Sequence, residues 1–175
     1  MHEHMSAVLS PGDLGTVSFD AMCRDLQIVY DYGVRNIVDL TNQSMGRAPE
    51  YVRRLQEATG INIILSTGYY LEQYIGPYVE PFSVSELASS AIRDLTSGID
   101  GTGEKAGVIG EIAWSRPAPG KLELKAWEAM TIAARATGAV VSTHPSLGVL
   151  QLPQAEYLLD KGIAPRKIVD RKSVV

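Results

Sequence analysis

The stretch TGINIILST, residues 59–67, contains the pattern that decides the fold. Gly60 precedes a short run of Ile and Leu that is interrupted only by Asn62, and the run ends in the polar pair Ser66–Thr67. A brief apolar run rich in β-branched residues is typical of a strand that is covered on both faces of a parallel sheet. A glycine directly before such a run is the usual residue at the end of a preceding helix.

The same arrangement recurs along the chain. Four further runs have this short, apolar character, and they occupy residues 35–41, 106–113, 138–144 and 166–169. Amphipathic segments, most of which close on a glycine, separate the runs, and they occupy residues 18–33, 48–60, 83–98, 121–138 and 152–162. Strands that alternate with helices predict βαβ units, and therefore an α/β fold with a parallel sheet.

A parallel sheet of this kind has two possible closures, an open doubly wound sheet or a (β/α)8 barrel. No G-x-G-x-x-G pattern follows a predicted strand, so a dinucleotide-binding Rossmann sheet has no support. In both architectures, polar residues at the carboxyl ends of the strands form the functional site.

Composition narrows the class of protein. The 175 residues carry a net charge of −4, so the chain has no basic surface that would attract nucleic acid. No apolar stretch approaches the roughly 20 residues of a membrane span, and the N-terminus lacks the pattern of a signal peptide. Cys23 is the only cysteine, which suits a reducing compartment. We therefore predict a cytoplasmic, soluble protein.

The three histidines of the chain have informative positions. His2 and His4 are separated by one residue, so in a strand their imidazoles point to the same face and can meet one divalent metal ion. A chance pair at the start of the chain is the alternative. His144 ends the run 138–144, at the edge where a parallel sheet builds its site, although a structural histidine at the end of a strand is the simpler explanation for it alone.

Two carboxylates interrupt apolar runs. Glu111 lies within 106–113, where a buried charge is costly unless it is paired or bound to a metal. A salt bridge to an arginine is the alternative for Glu111. Asp39 lies in the run 35–41, and its position beside Thr41 and Asn42 suits either a supporting hydrogen bond or a contact behind a metal ligand.

Taken together, these residues predict a metal centre. Imidazole and carboxylate ligands suit zinc, with manganese, cobalt and iron as the other options. A pair of metals with a bridging carboxylate would hold a hydroxide and polarise a substrate oxygen.

Five segments of the chain stand out together: HEH (2–4), GVRNIVDLTN (33–42), TGINIILSTGYY (59–70), GIDGTGEKAGVIGEI (98–112) and ATGAVVSTH (136–144). They resemble the phosphotriesterase-related proteins of the amidohydrolase superfamily, and most closely the phosphotriesterase-homology branch. The resemblance extends from residue 2 to about residue 169.

This resemblance implies a TIM-type barrel with two metal ions, for which zinc is favoured. His2 and His4 match the ligands of the more buried metal, Glu111 matches the carboxylate that bridges both metals, and His144 matches a ligand of the second metal. The implied reaction is attack of a metal-bridging hydroxide on a small-molecule ester, lactone or phosphoester.

Three loop residues are candidates for the substrate pocket. Tyr69 and Tyr70 follow the third predicted strand, and Arg47 follows the second. Loop packing is the alternative explanation for all three. The resemblance assigns no catalytic residue that this chain contains beyond the metal ligands.

The chain also departs from the family pattern. It begins almost at His2, and the segment IVDRKSVV (168–175) stands where the family has a Gly-His motif and, later, a metal-binding aspartate. A complete barrel typically needs about 250 residues. We therefore predict one partial barrel domain, residues 1–175, with five to six strands, a shortened first strand and no final βα units.

Three hypotheses remain open at this point. The chain is a metal-dependent hydrolase, a truncated and catalytically inactive member of the family, or an interaction module that recruits a partner through the open edge of its sheet. An assembly with further copies of the chain is one way to cover that edge.

Overall fold

The structure is a computed structural model that describes residues 2–7, 18–146 and 150–170, and for His2 the backbone alone. Six strands and six α-helices alternate along the described residues, apart from one helix pair. The strands are β1 (His2–Glu3), β2 (Asn36–Asp39), β3 (Asn62–Thr67), β4 (Ala106–Trp114), β5 (Val140–Pro145) and β6 (Ile168–Asp170). The helices are α1 (Phe19–Asp31), α2 (Pro49–Thr59), α3 (Glu72–Val79), α4 (Val84–Thr96), α5 (Lys121–Thr137) and α6 (Gln151–Asp160).

The six strands form a sheet in the order β1-β2-β3-β4-β5-β6, and each neighbouring pair is parallel. A doubly wound sheet reverses its strand order at a switch point, whereas a (β/α) barrel adds its strands in sequence. The observed order among the described strands is therefore that of a barrel. It brings the carboxyl ends of all six strands to one side.

Local sequence signals explain where several helices begin and end. Ser83 and Glu86 form a capping box at the start of α4, in which each side chain satisfies a backbone N–H of the first turn. Gly60 and Gly138 follow α2 and α5 with φ values of +74° and +71°. Glycine adopts this left-handed conformation without a steric penalty, so both helices stop where the next strand must start.

The core has two parts that lie between the sheet and its helices. One packs β2, β3 and Met5, which follows β1, against α1 and α2, with Val52 and Leu55 fully buried. The other packs β4 and β5 against the helices α3 to α6 and centres on Trp127, whose Nε1 donates a hydrogen bond to the carbonyl of Ala113 at 2.9 Å. That bond attaches α5 to the end of β4, next to the site.

The predicted elements agree with the observed ones except at two places. The sequence pattern does not predict α3, because Gly76 and Pro77 fall inside it and obscure its periodicity. The last strand begins at Ile168 instead of residue 166, since Pro165 starts a short 3-10 turn that ends at Lys167. No helix of the described segments is long and apolar enough to cross a membrane.

Candidate active site

A buried polar cluster lies at the carboxyl ends of β1, β2, β4 and β5. Glu111 is at its centre and is 3% exposed. Oε1 of Glu111 lies 3.5 Å from Nε2 of His4, and Oε2 lies 2.9 Å from Nδ1 of His144. The fold therefore brings together three of the four predicted metal ligands. The side chain of the fourth, His2, lies outside the described residues.

The environment of Glu111 keeps its carboxylate ionised. Burial by itself would raise the pKa of Glu111. The hydrogen bonds and positive charges of His144 and His4 outweigh that effect and lower the pKa to about 2. The described ion-pair partners of this buried carboxylate are thus two imidazoles.

The backbone of β4 turns Glu111 into the site through a glycine. Gly110 has a φ of +149°, and a Cβ built on it would lie 2.7 Å from the carbonyl oxygen of Ser142 on β5. The register between β4 and β5 shifts between Ile109 and Ile112, which is the irregularity that a β-bulge produces. Only glycine fits this close approach, so Gly110 sets the direction of Glu111.

His144 is held from both sides. Its Nε2 lies 3.1 Å from the hydroxyl of Tyr70, and the two rings meet edge to face at a centroid distance of 4.8 Å. The fully buried Gln154 on α6 donates a hydrogen bond from Nε2 to the carbonyl of His144 at 3.0 Å. Burial and the negative charge of Glu111 raise the pKa of Tyr70, so its hydroxyl stays protonated. The sequence contained no signal for the role of Gln154.

His4 is connected to Asp39 through Thr41. Nδ1 of His4 lies 3.3 Å from the hydroxyl of Thr41, and that hydroxyl donates a hydrogen bond to Oδ1 of Asp39 at 2.6 Å. The same oxygen accepts the backbone N–H groups of Met5 and Thr41. Asp39 therefore ties the residue that follows His4 to the end of β2, as a supporting group would.

The loop after β2 holds the other parts of the site in place. Asn42, fully buried, donates from Nδ2 to the carbonyl of Glu111 at 2.9 Å. The Ser44 hydroxyl donates to Oδ1 of Asn42 and accepts the backbone N–H of Tyr70, both at 2.9 Å. The sequence places Asn42 near Asp39 and contains no signal for the role of Ser44.

Arg47 and Tyr69 lie apart from this cluster. They line a separate cavity of about 480 Å³, against α3 and α4. The guanidinium of Arg47 forms ion pairs with Asp94 at 2.6 Å and with Asp100 at 2.8 Å. Of the three residues predicted for the substrate pocket, the structure thus brings Tyr70 alone to the buried carboxylate.

The donors of the cluster suit a divalent metal in their chemistry. Imidazole nitrogens and a carboxylate are the ligands that zinc prefers among nitrogen and oxygen donors. Each oxygen of Glu111 faces a different imidazole, so the described donors form two half-sites. Accordingly, no three His, Cys, Asp or Glu side chains among the described residues surround a single ion position.

The profile of the Phosphotriesterase family matches residues 8–170 of the chain. The chain belongs to the phosphotriesterase family. The resemblance seen in the sequence is therefore confirmed. The match covers nearly every described element of this chain and is not confined to isolated motifs.

Individual members of the phosphotriesterase family agree with this assignment. The chain is 34% identical to the phosphotriesterase homology protein of Escherichia coli over 166 residues, which cover 93% of this chain and 57% of that protein. It is 34% identical over 139 residues to the aryldialkylphosphatase of Saccharolobus solfataricus, covering 79% of this chain and 44% of that protein.

Solved structures of phosphotriesterase family members share the fold. The crystal structure of the E. coli phosphotriesterase homology protein, with phosphate in its active site, superposes with a TM-score of 0.91 and 33% identity. The match covers 97% of this chain and 60% of that one. A mutant of the Deinococcus radiodurans PTE-like lactonase gives a TM-score of 0.85 at 30% identity, with coverages of 97% and 56%. The prediction of an incomplete TIM-type barrel is confirmed, and the chain spans a little over half the length of the E. coli protein.

Proposed function

We propose that this chain is part of a metal-dependent hydrolase that acts on a small-molecule ester, lactone or phosphoester. The observation that carries the proposal is Glu111, a buried carboxylate whose two oxygens lie 3.5 Å and 2.9 Å from the imidazoles of His4 and His144. In this proposal His2 and His4 would hold one divalent metal, His144 would hold a second, and Glu111 would contribute a carboxylate oxygen to each. Zinc is the favoured metal because the donors are imidazole and carboxylate.

The names of the relatives support the class of substrate. The S. solfataricus relative is an aryldialkylphosphatase, the D. radiodurans relative is a PTE-like lactonase, and the E. coli structure holds phosphate in its active site. Phosphoesters and lactones both react at a centre that carries a polarisable double-bonded oxygen. One site can therefore serve both classes through the same chemistry.

A bound divalent metal pair supplies a hydroxide nucleophile at neutral pH and polarises the substrate oxygen. The protein's own residues hold this arrangement. Glu111 stays ionised because its pKa is about 2, and the protonated hydroxyl of Tyr70 orients His144 through its contact with Nε2. Asn42 fixes the backbone of Glu111 by its bond to the carbonyl oxygen.

Arg47 and Tyr69 remain candidates for substrate binding, in a proposal that rests on their positions after β2 and β3. Their cavity opens beside α4. The guanidinium of Arg47 already forms ion pairs with Asp94 and Asp100. We propose further that residues 1–175 form one domain, as the continuous sheet of the described strands suggests. A cytoplasmic location and assembly into a homo-oligomer are expectations from the sequence.

A second candidate is a member of the family without catalytic activity. It is favoured by the observation that each oxygen of Glu111 faces one described imidazole, so neither half-site has three described ligands. Such a protein would bind metal weakly and would not turn over substrate.

Metal content and hydrolysis, measured together, test the two candidates. The purified 175-residue chain is incubated with excess zinc and desalted, and its zinc is counted by mass spectrometry. An aryl ester, a lactone and an aryl dialkyl phosphate are then assayed. We expect bound zinc and turnover of at least one substrate in the wild-type protein, with both lost in Glu111→Gln and retained in Glu128→Gln, where the exposed Glu128 serves as the control.

The outcomes separate the alternatives. A chain that stays metal-free in excess zinc contradicts the metal site. A chain that binds zinc but hydrolyses none of the three substrates supports the inactive member.

A further inference from the structure

The cavity beside α4 is separate from the Glu111 cluster. Its volume of about 480 Å³ lies within the range of about 300–1,000 Å³ that small-molecule sites occupy. His4, Asn42 and His144, which contact Glu111, do not line it. Its described lining residues all fall between 43 and 100, so one continuous part of the chain forms this cavity.

A buried carboxylate holds one wall of the cavity in place. Asp94 is 3% exposed, and its Oδ2 accepts hydrogen bonds from Nη1 of Arg47 at 2.6 Å and from the hydroxyl of Thr67 at 2.7 Å. Gln43, which lines the same wall, accepts the N–H of Gly68 at 2.9 Å. These bonds tie the loop after β2 to α4 and to the end of β3. The wall is therefore formed before a ligand arrives, which lowers the cost of binding.

The cavity has an aromatic surface. Tyr69 belongs to the core and is 3% exposed, whereas Tyr78 and Phe82 are 41% and 46% exposed. Aromatic rings pair favourably with other rings, edge to face or offset. Large exposed apolar side chains beside a concave surface are typical of ligand sites. A flat apolar body, such as a benzene ring, complements this part of the lining.

The charged groups of the cavity differ in how far they are already neutralised. Both oxygens of Asp100 accept hydrogen bonds from Arg47, at 3.1 Å and 2.8 Å. Oε2 of Glu86 accepts the N–H and the hydroxyl of Ser83, both at 2.7 Å. Arg93 is exposed in the last turn of α4, and no carboxylate of the described segments lies within ion-pair distance of it. The charge that is left for a ligand is therefore positive.

Hydroxyl groups accompany this guanidinium. Ser89 and Ser90 precede Arg93 on α4 by four and three residues, and all three line the cavity. Helical residues with this spacing lie on one face, so the hydroxyls and the guanidinium are neighbours. Guanidinium and hydroxyl groups are hydrogen-bond donors, and a planar guanidinium can bind a carboxylate through two parallel bonds. The donors of α4 therefore match a carboxylate.

We infer that this cavity binds a small aromatic carboxylate, with the ring against Tyr69, Tyr78 and Phe82 and the carboxylate against Arg93. It is a binding site, at which no bond of the ligand is made or broken. The inference rests on the lining of the cavity and not on the metal site proposed above. It therefore applies to the metal-free protein.

An NMR titration of the metal-free chain tests the class of ligand. Spectra of the ¹⁵N-labelled, EDTA-treated protein are recorded with millimolar benzoate, acetate and benzylamine. These probes are an aromatic anion, an anion without a ring and an aromatic cation. We expect benzoate to shift the amide signals of Tyr69, Ser90 and Arg93, and we expect acetate and benzylamine to bind more weakly. Because EDTA removes any metal, a carboxylate bound to a metal ion cannot contribute.

Substitution of two exposed side chains tests the contacts. Arg93→Gln removes a charge-assisted hydrogen bond, so the Kd for benzoate should rise by about 10-fold or more. The control is Arg135→Gln, because Arg135 is exposed in the last turn of α5. Phe82→Ala removes a ring contact and should raise the Kd by about 2–10-fold. Its control is Leu124→Ala, since Leu124 is 42% exposed and does not line the cavity.

Three results would overturn the inference. The first is a spectrum in which millimolar benzoate shifts none of the cavity signals. The second is binding of acetate or benzylamine that equals that of benzoate, and the third is an unchanged Kd in Arg93→Gln. The substituted residues are exposed, so the variants should fold. A chain that binds benzoate but no zinc would support the cavity site and contradict the metal site, so the two failures can be told apart.

Discussion

At the scale of single residues, Glu111 determines the electrostatics of the site. An isolated buried carboxylate costs several kcal/mol, and here the two imidazoles offset that cost. The uncharged side-chain amide of Asn42 also donates a hydrogen bond to the carbonyl of Glu111, and this bond holds the backbone of Glu111 in position. Charge and backbone position are thus controlled by different neighbours, and each can be tested by a separate substitution.

The pH dependence of stability should reveal the ionised state of Glu111. Its pKa in the folded protein is about 2, below the ordinary value of 4.5, so unfolding takes up a proton at acid pH. This contribution to the free energy of unfolding is fully present above about pH 4.5 and is lost as the pH falls towards 2. We expect urea unfolding to show a shallower acid loss of stability in Glu111→Gln than in the wild-type protein. Parallel pH profiles would contradict this, and Glu128→Gln should follow the wild type.

Removal of the Asn42 amide should leave buried groups without partners. Asn42→Ala deprives the carbonyl of Glu111 and the hydroxyl of Ser44 of their bonds, so we expect a loss of about 1–3 kcal/mol in the free energy of unfolding. The matched control is Asn62→Ala, because Asn62 is exposed and should change stability by about 0.5 kcal/mol or less. Equal effects in chemical denaturation would show that Asn42 has no structural role.

At the scale of elements, the site depends on how β4 and the loop after β2 are fitted to their neighbours. The bulge in β4 needs Gly110, because β5 passes within 2.7 Å of the position that a Cβ would occupy. The loop after β2 is attached to α4 through the ion pair of Arg47 with Asp94, an aspartate that also accepts the hydroxyl of Thr67 at the end of β3. Both features connect the strand ends to elements distant in sequence.

A methyl group at position 110 should distort the site. Gly110→Ala combines a steric conflict with an unfavourable φ, so we expect a destabilisation of at least about 1–3 kcal/mol, measured by thermal unfolding. Gly76→Ala is the control, since Gly76 lies in α3 with open space around it, and alanine there should stabilise the helix by about 0.5–1 kcal/mol. A neutral Gly110→Ala would mean that the strands can part without cost.

The two aspartates that bind Arg47 should differ in importance. The side chain of Asp94 is 4% exposed, and that of Asp100 is 62% exposed. Breaking a buried pair leaves an uncompensated charge, so Asp94→Ala should cost about 3–5 kcal/mol. Asp100→Ala should cost no more than about 1 kcal/mol because water screens the pair. Similar losses in urea unfolding would contradict the difference in burial.

At the scale of the whole molecule, the proposed metal pair would connect strands that are far apart in the sequence. His4 follows β1, at one edge of the described sheet. Glu111 and His144 belong to β4 and β5, which lie further along the strand order. The strands β2 and β3 lie between them, and the curvature of the sheet brings the three side chains together. Metal binding should therefore act on the stability of the entire fold.

Zinc should raise the stability of the folded chain by mass action. A ligand that binds only the folded state at 100 times its dissociation constant contributes about 2.7 kcal/mol. We expect the melting temperature to rise on addition of Zn²⁺ and to return after EDTA treatment, as followed by calorimetry. Glu111→Gln should abolish the shift. A wild-type melting temperature that does not respond to zinc would contradict the proposed ligand set.

Local sequence patterns determined the elements and the residue types of the site. Short apolar runs ended by polar residues predicted strands, and a costly carboxylate in one of them indicated Glu111, because burial and periodicity are properties of neighbouring residues. Only the tertiary structure decided which side chains meet. The contacts of Thr41 with His4, of Asn42 with Glu111 and of Tyr70 with His144 span 37, 69 and 74 residues. They depend on strand order, register and the bulge at Gly110, none of which a local pattern encodes. The same long-range packing placed Arg47 against α4 and away from Glu111.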